Sequence, residues 1–559
     1  MNGLFLVIIS VVVLSVAYLT YGRFLARKWK IDPSQKTPAH ELEDGKEYVP
    51  TSPMVLFGHE FASIAGAGPI NGPIIAAMFG WLPALLWLLL GSVFFGAVHD
   101  FAALYTSVKN KGKSIGYVIE LYVGKPGKIL FLIFVWLFSI LIAAAFADIV
   151  AGTFAGYDLA GMPVRTNASV AFASSLFIIA AIGLGFLIRK RRASDLASAI
   201  VAIDLLIICI VLGIVFPVFL DKSLWLYLIF AYICIASVLP VWILSQPRNY
   251  LNSFLLIAMM LSAFIGVVFT SPKISIPAFT GFNVNGNFLF PSLFVTVACG
   301  AISGFHSLVA TGAASKQLSS EKHMLPISYG AMLLEAMVAV LALIAVGSLA
   351  VNGKMPEGTP PLIFATAVSG FLNQLGLPSQ ASFTIVSLAV SSFVLTTLDT
   401  VARLGRLSFQ ELFSSGEDER GKWHFLARIF SNKVSASIFT LLPAYLLAIM
   451  VYQSIWVLFG AANQLLAALT LIACTLFFKK TRRSIFMLII PTTVMLIVTY
   501  TSLVLSIKGK VELLLNGKFN PGVDGIQMCI AILLLVLGIL VAVSCAIKLL
   551  ENKNENEKK

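Results

Sequence analysis

Apolar residues fill long runs of this chain, and polar ones gather in short strips between them. A hydrocarbon core about 30 Å thick needs roughly 20 helical residues. The pattern therefore predicts spanning helices near 3–22, 54–79, 81–108, 127–156, 168–188, 193–219, 224–247, 249–270 and 289–314. Further spans are expected near 325–351, 380–402, 434–452, 455–478, 484–507 and 526–547. The expectation is an all-α integral membrane protein of about 15 spans, an odd number that puts the termini on opposite sides. The run at 361–376 lacks flanking charges and is expected as an outer loop or re-entrant piece.

Two spans break the apolar pattern. In "FGHEFASIAGAGPINGPIIAAMFG" (57–80), Gly66, Gly68, Pro69, Asn71, Gly72 and Pro73 oppose a continuous helix near its middle. An interior proline costs about 3 kcal/mol and a glycine about 1. In "ASVLPVWILSQPRNYL", Pro240 and Pro247 interrupt a span that also holds Trp242 and Gln246. Irregular backbone at membrane depth persists only where it is buried in protein or lines a watered cavity. The second and seventh spans run in opposite directions, so the pattern suits an inverted repeat with paired discontinuous helices around a midplane site. Glycines and prolines that only pack or kink helices are the alternative.

Composition agrees with the run lengths: 58% of residues are hydrophobic and 12% charged, against about 25% charged in soluble domains. The net charge of +13 reads as basic cytoplasmic loops rather than nucleic-acid binding. On the fifteen-span plan, 32 Lys and Arg fall on one face and 7 on the other. The positive-inside rule then sets the N-terminus outside and the C-terminus in the cytoplasm. The first run has no basic leader and is expected as a retained span. The six cysteines lie in apolar runs without metal spacing, so neither disulfides nor a metal site is expected. "HEFAS" has no second histidine for a metalloprotease motif, and no GxxxxGK[ST] loop occurs. No cofactor and no catalytic cluster of an enzyme are expected. Cytoplasmic loops of at most 31 residues (23–53 and 403–433) leave no output domain for a sensor.

Ionisable groups inside spans cost about 2.5–3.5 kcal/mol each and are functional candidates by default. Asp204 and Glu335 fall roughly 15 Å along their helices, near the midplane. Each is a candidate proton carrier or a protonated helix–helix hydrogen bond. Asp148 lies nearer the outside. His306 follows Ser303 in "GAISGFHS"; histidine suits proton coupling near neutral pH, and a satisfied buried histidine is the other reading. Gly300 and Gly304 form a GxxxG packing pattern. His59 and Glu60 start the first broken helix, where a glutamate complements the helix dipole; beside Asp100 or His99 they are candidates for an inner gate. For Asp399, the default expectation is ion pairing with Arg403 and Arg406.

The blocks "FGHEFASIAGAGPINGPIIAAMFGWLP", "GAVHDFAALY", "LPVWILSQPRNYL", "ACGAISGFHSLVATGAASKQL", "YGAMLLEAM", "TLDTVARLGR" and "LFGAANQLLAAL" resemble the carbon starvation protein A family, in order, across about 55–470. The resemblance implies a bacterial inner-membrane transporter of peptides or of pyruvate with protons, built on a LeuT-like core of five plus five helices. It also implies that Ser303 and His306 reach the first break. The segment 23–53 and the tail 484–559 carry less of the likeness. On that basis residues 1–53 form a first span and basic linker, and 54–402 a ten-helix core with repeats at about 54–219 and 224–402. Residues 403–433 form a cytoplasmic loop, and 434–559 hold four more spans and a tail.

A small carboxylate is expected to sit at Ser63, Gly66, Gly68, Pro69, Asn71 and Gly72, its charge held by backbone N–H groups. Pro240, Trp242 and Gln246 would face it. The proton would ride on Asp148, Asp204, Glu335 or His306, with Ser303 nearby. Sodium coupling and a peptide substrate are the alternatives. The expected partners are the solute and the lipid bilayer.

Overall fold

The computed structural model describes residues 1–45, 47–158, 160–190, 195–240, 243–414 and 429–556. Nearly all ordered elements are helices, as hydrocarbon requires of a chain that must satisfy its own backbone. Among the described residues, eleven helices are long and apolar enough to cross a membrane. Counting the bent pair Pro53–Ile64 and Gly68–Phe79 as one span gives twelve. The shorter apolar helices Ile200–Val215 and Lys222–Val238 fall on two further expected runs. Residues 361–376 lie mostly in a 15-residue helix, Pro360–Gln374, packed on neighbouring spans. A two-stranded hairpin pairs Asn283–Val284 with Asn287–Phe288.

The basic strips meet on one face. Lys109 bridges Glu321 at 2.5 Å, Lys316 bridges Glu47 at 2.7 Å and Lys128 reaches Glu411 at 2.8 Å. The opposite strips join each other as well. Gly3 N–H donates to the Pro272 carbonyl, Trp81 N–H to Pro277 and Gly156 N–H to Leu220. The division into two faces thus matches the charge count.

Residues Lys433–Lys480 form a helical run of 48 residues. Thr440 accepts a hydrogen bond from Trp136 Nε1 (3.1 Å), yet the Phe459 ring lies 6.2 Å from that of Phe138. Nineteen residues of straight helix would separate Thr440 and Phe459 by about 28 Å. The run therefore folds back between its apolar segments Lys433–Met450 and Trp456–Lys480, each a separate pass along Lys125–Phe154.

Two helices form the centre. Lys125–Phe154 and Ser379–Ser414 make the most extensive helix–helix contact in the molecule. Gly405 allows part of it: a Cβ there would come within 2.9 Å of the Ser139 Cβ. The broken helices lie beside this pair.

The second interruption is not where the prolines suggested. Lys222–Val238 ends at Leu239, and a new helix, Ser245–Thr270, follows a short connection. Pro240 is exposed in that connection, and Pro247 occupies the first turn of the next helix, where proline is tolerated. These prolines separate two spans rather than divide one. The divided partner is the segment expected as a plain span near 289–314. It runs as Leu289–Thr296, Ala298–Ala301 and Gly304–Val309, with Ile302 and Ser303 extended between the last two.

Candidate functional site

The first break is shorter than the glycine–proline cluster implied. Pro53–Ile64 ends at Ala65 (φ −72°, ψ 60°), and Gly68–Ala76 begins three residues later with Pro69 in its first turn. Gly68, Asn71, Gly72 and Pro73 are thus helical. Two of these glycines permit close approach to the second broken helix. A Cβ on Gly68 would lie 2.2 Å from the Cys299 Cβ, and one on Gly72 would lie 2.6 Å from the Thr296 carbonyl oxygen. The packing reading of those glycines is correct.

The two broken helices lie side by side in opposite directions. At one end Thr51 N–H donates to the Gln317 carbonyl (3.0 Å); at the other, Trp81 N–H donates to Pro277 (3.1 Å). Both breaks open on one small cavity of about 20 Å³. Ile64, Gly66, Gly68 and Pro69 form one wall, and Cys299, Ser303, Phe305 and His306 the other. Ile142, Phe146 and Thr397 come from the two central helices, Phe459 and Asn463 from Trp456–Lys480. Phe146, Trp456 and Phe459 stack as an aromatic group, with centroids 5.1–6.4 Å apart.

Asn463, fully buried, holds the second break open. Its Oδ1 accepts from the Phe305 N–H (3.1 Å), and its Nδ2 donates to Ser303 Oγ (3.1 Å) and Cys299 Sγ (3.3 Å). Next to it, Gln464 Nε2 donates to the Phe294 carbonyl (2.6 Å) in the other half of the broken helix. Gly304 and Gly460 let the helices touch: a Cβ on either would come within 2.5 Å of opposing backbone. Gly300 instead faces Ala339, so the GxxxG pair serves two different neighbours.

His306 joins the cavity to a buried ionisable cluster. Its Nδ1 lies 2.9 Å from Asp100 Oδ2, and its Nε2 lies 3.2 Å from Glu335 Oε2. Asp100 Oδ1 lies 2.8 Å from His99 Nδ1. Glu60 is within Coulombic reach of Asp100 and His306. All five residues are at most 3% exposed. Oxygens of Glu60 and Glu335 and Nε2 of His99 make no hydrogen bond among the described residues. Buried charges so arranged are costly unless they are paired or neutralised.

The expected site residues divide accordingly. Gly66, Gly68, Pro69, Ser303 and His306 line the cavity, and Glu335 joins the cluster. Glu60 and Asp100 belong to it too, rather than to a separate gate. His59 instead faces its own helix, Nδ1 3.3 Å from Ser63 Oγ, which donates to the His59 carbonyl (2.7 Å). Ser63, Asn71 and Gly72 are buried but do not line the cavity. Asp148 pairs with Lys222 (2.8 Å), away from His306. Asp204 is exposed on the outer side of its helix: depth along a helix does not set the face a residue presents. Pro240 is off the cavity, Trp242 lies outside the described residues, and of Gln246 only the helical backbone is described. Asp399 pairs with Arg248 (2.8 Å), whereas Arg403 donates to the Ala236 and Leu239 carbonyls.

Cys299, Thr397 and Asn463 were missed. The signal for Asn463 was present, since adjacent amides in "GAANQLLAAL" are expensive inside an apolar run unless they bind backbone. Replacing Asn463 with alanine would leave the Phe305 N–H unpaired, a loss of about 1–3 kcal/mol. The Asn463→Ala protein is expected to melt earlier in detergent and to transport more slowly, both measurable on the purified chain.

Oppositely directed broken helices around a buried cavity are the architecture of a membrane transporter. A family model described as "Carbon starvation protein CstA" matches residues 2–356 and 350–502. The chain belongs to that family of multi-pass membrane transporters. It is 32% identical to the peptide transporter CstA of Bacillus subtilis (strain 168), over 98% of this chain and 97% of the relative. It is also 30% identical to the pyruvate/proton symporter BtsT of Escherichia coli (strain K12), over 89% of this chain and 81% of that one. Among solved structures, a mutant manganese transporter of Eremococcus coleocola aligns with TM-score 0.45 and 12% identity, covering 88% of this chain and 94% of the other. MhsT in complex with L-phenylalanine aligns with TM-score 0.43 and 13% identity, covering 89% and 99%.

Proposed function

We propose that this protein is a secondary active transporter that imports a small carboxylate such as pyruvate with H⁺ across a bacterial inner membrane. One observation carries the reading: His306 lines the cavity between the breaks while its two ring nitrogens meet Asp100 and Glu335. A proton held there is coupled to whatever occupies the cavity. Entry of an anion alone against a negative-inside potential costs about 2.3 kcal/mol per 100 mV, and a companion proton removes that term. The names of the relatives favour a second reading, a peptide importer of the same architecture.

Fifteen spans are proposed, with the basic face cytoplasmic, the N-terminus outside and the C-terminus inside. The core is a LeuT-like inverted repeat whose second half begins at Leu289 rather than near residue 224. The order of elements supports this. Each half has a broken helix, then a span containing a π-turn (Ser92–Gly96; Leu325–Gly330). A short helix follows (Ile115–Val123; Pro360–Gln374), then a long central one (Lys125–Phe154; Ser379–Ser414).

The test is uptake of labelled pyruvate into proteoliposomes containing the purified chain, under imposed pH or Na⁺ gradients. Accumulation should follow an acid-outside gradient and ignore Na⁺. Uptake that follows Na⁺ alone overturns the proton assignment. Full inhibition by dialanine, with dialanine itself accumulated far better than pyruvate, favours the peptide reading.

A further inference from the structure

A second buried polar cluster lies beside the cavity and takes no part in the chemistry above. Arg248, with no exposed surface, sits in the first turns of Ser245–Thr270. Its Nη1 donates to Asp399 Oδ2 (2.8 Å) and to the Tyr232 hydroxyl. Tyr232 in turn donates to Asp399 Oδ2 (3.1 Å). One turn along, Asn252 Nδ2 donates to the Ser392 carbonyl and to Thr396 Oγ1.

What remains unpaired is specific. Arg248 Nε and Nη2 make no hydrogen bond among the described residues, and neither does Asp399 Oδ1. Nε and Nη2 form the side-on edge of a guanidinium, two parallel N–H groups spaced to meet both oxygens of a carboxylate. An ion pair kept only to join two helices would be expected to fill that edge, because unpaired buried donors are costly. Here Asp399 and Tyr232 occupy the other edge and leave the fork open.

The position suits a solute in transit. Thr397 lines the cavity, and Asp399 lies two residues nearer the basic face, about 3 Å along the same helix but about 200° round it, on the side that packs on Ser245–Thr270. Ser245–Thr270 also packs on Pro53–Ile64, the half of the first broken helix that leads to that face. The start of this half-helix is open, with Met54 87% and Val55 63% exposed.

We propose that the free edge of Arg248 is a second carboxylate-binding subsite, on the basic-face side of the main cavity, which receives the solute as it leaves. This rests on the transport of a carboxylate-bearing solute. Pyruvate and a dipeptide C-terminus present the same group, so the subsite does not depend on which is carried. Asp399 holds the guanidinium in place and competes with the solute for its charge.

The two partners should therefore respond in opposite directions. In proteoliposomes with the full chain, Arg248→Lys keeps the charge but loses the fork. KM for the accumulated solute, labelled pyruvate or labelled dialanine, should rise by about tenfold or more, with Vmax within about twofold. Asp399→Asn should lower KM. A purely structural pair would make both variants less stable and shift neither KM, or shift both alike, and either result overturns the subsite. Should Arg248→Lys not fold, the neutral double variant Arg248→Gln with Asp399→Asn replaces it, with the same rise in KM expected and an unchanged KM decisive against. Wild-type protein that accumulates neither solute overturns the transport reading itself. Wild-type uptake with an unaltered KM in the variants overturns the subsite alone.

Discussion

Gly68→Ala is expected to reduce transport by at least about tenfold, and a second change at Cys299 should restore much of it. The added Cβ would sit 2.2 Å from the Cys299 Cβ, whereas carbon atoms pack comfortably at about 3.5–4.0 Å. Both atoms belong to broken helices already in close contact at Gly72 and Thr296, and the second is backed at Gly304 by Asn463. The helices must separate, at a cost of about 1–3 kcal/mol for overpacking. That separation alters the cavity at both breaks. Cys299→Gly removes the opposing atoms, so the double variant should regain space and uptake. The check is the initial uptake rate of the four proteins at equal reconstituted amounts. Normal transport by Gly68→Ala would mean that the breaks do not approach as described.

His306→Gln should uncouple the proton. The histidine ring is the bridge between Asp100 and Glu335, and glutamine preserves much of its bulk but cannot carry a proton. Removing one partner of a buried charged group costs about 3–5 kcal/mol unless the remaining carboxylates share protons permanently. The variant should still exchange labelled for unlabelled solute across the vesicle wall, because the cavity walls remain. It should no longer accumulate solute when the outside is made acid. Counterflow and gradient-driven uptake measured on the same vesicles separate these activities. Gradient-driven accumulation at the wild-type level would remove His306 from the coupling path.

Much of the architecture was legible from residue pattern. Apolar run lengths located the helices, and the basic strips foretold which loops share a face, because lipid thickness and loop charge act on composition directly. The first break was legible because proline and glycine advertise themselves. The second was not. Its extended residues, Ile302 and Ser303, carry no strong breaker, and the bend is stabilised from another helix by Asn463, 160 positions away. Pro240 and Pro247 drew attention instead, yet they mark an ordinary connection. Glu335 was recognisable by depth and His306 by its residue type, and depth failed for Asp204. Helical depth sets how far a residue lies from water at the ends, whereas rotation about the axis decides whether it meets lipid or protein. The assembly of His99, Asp100 and Glu60 around His306 depends on three separate segments meeting, which no local pattern encodes.

Trp456–Lys480 carries two fittings on one rigid rod. Trp456 and Phe459 contribute to the aromatic stack over the cavity, and Asn463 and Gln464 grip both pieces of the second broken helix little more than a turn below. A tilt of that rod drags plug and hinge together. The aromatic group and the bend in the second broken helix are thus mounted on one helix, and a displacement of either is transmitted to the other.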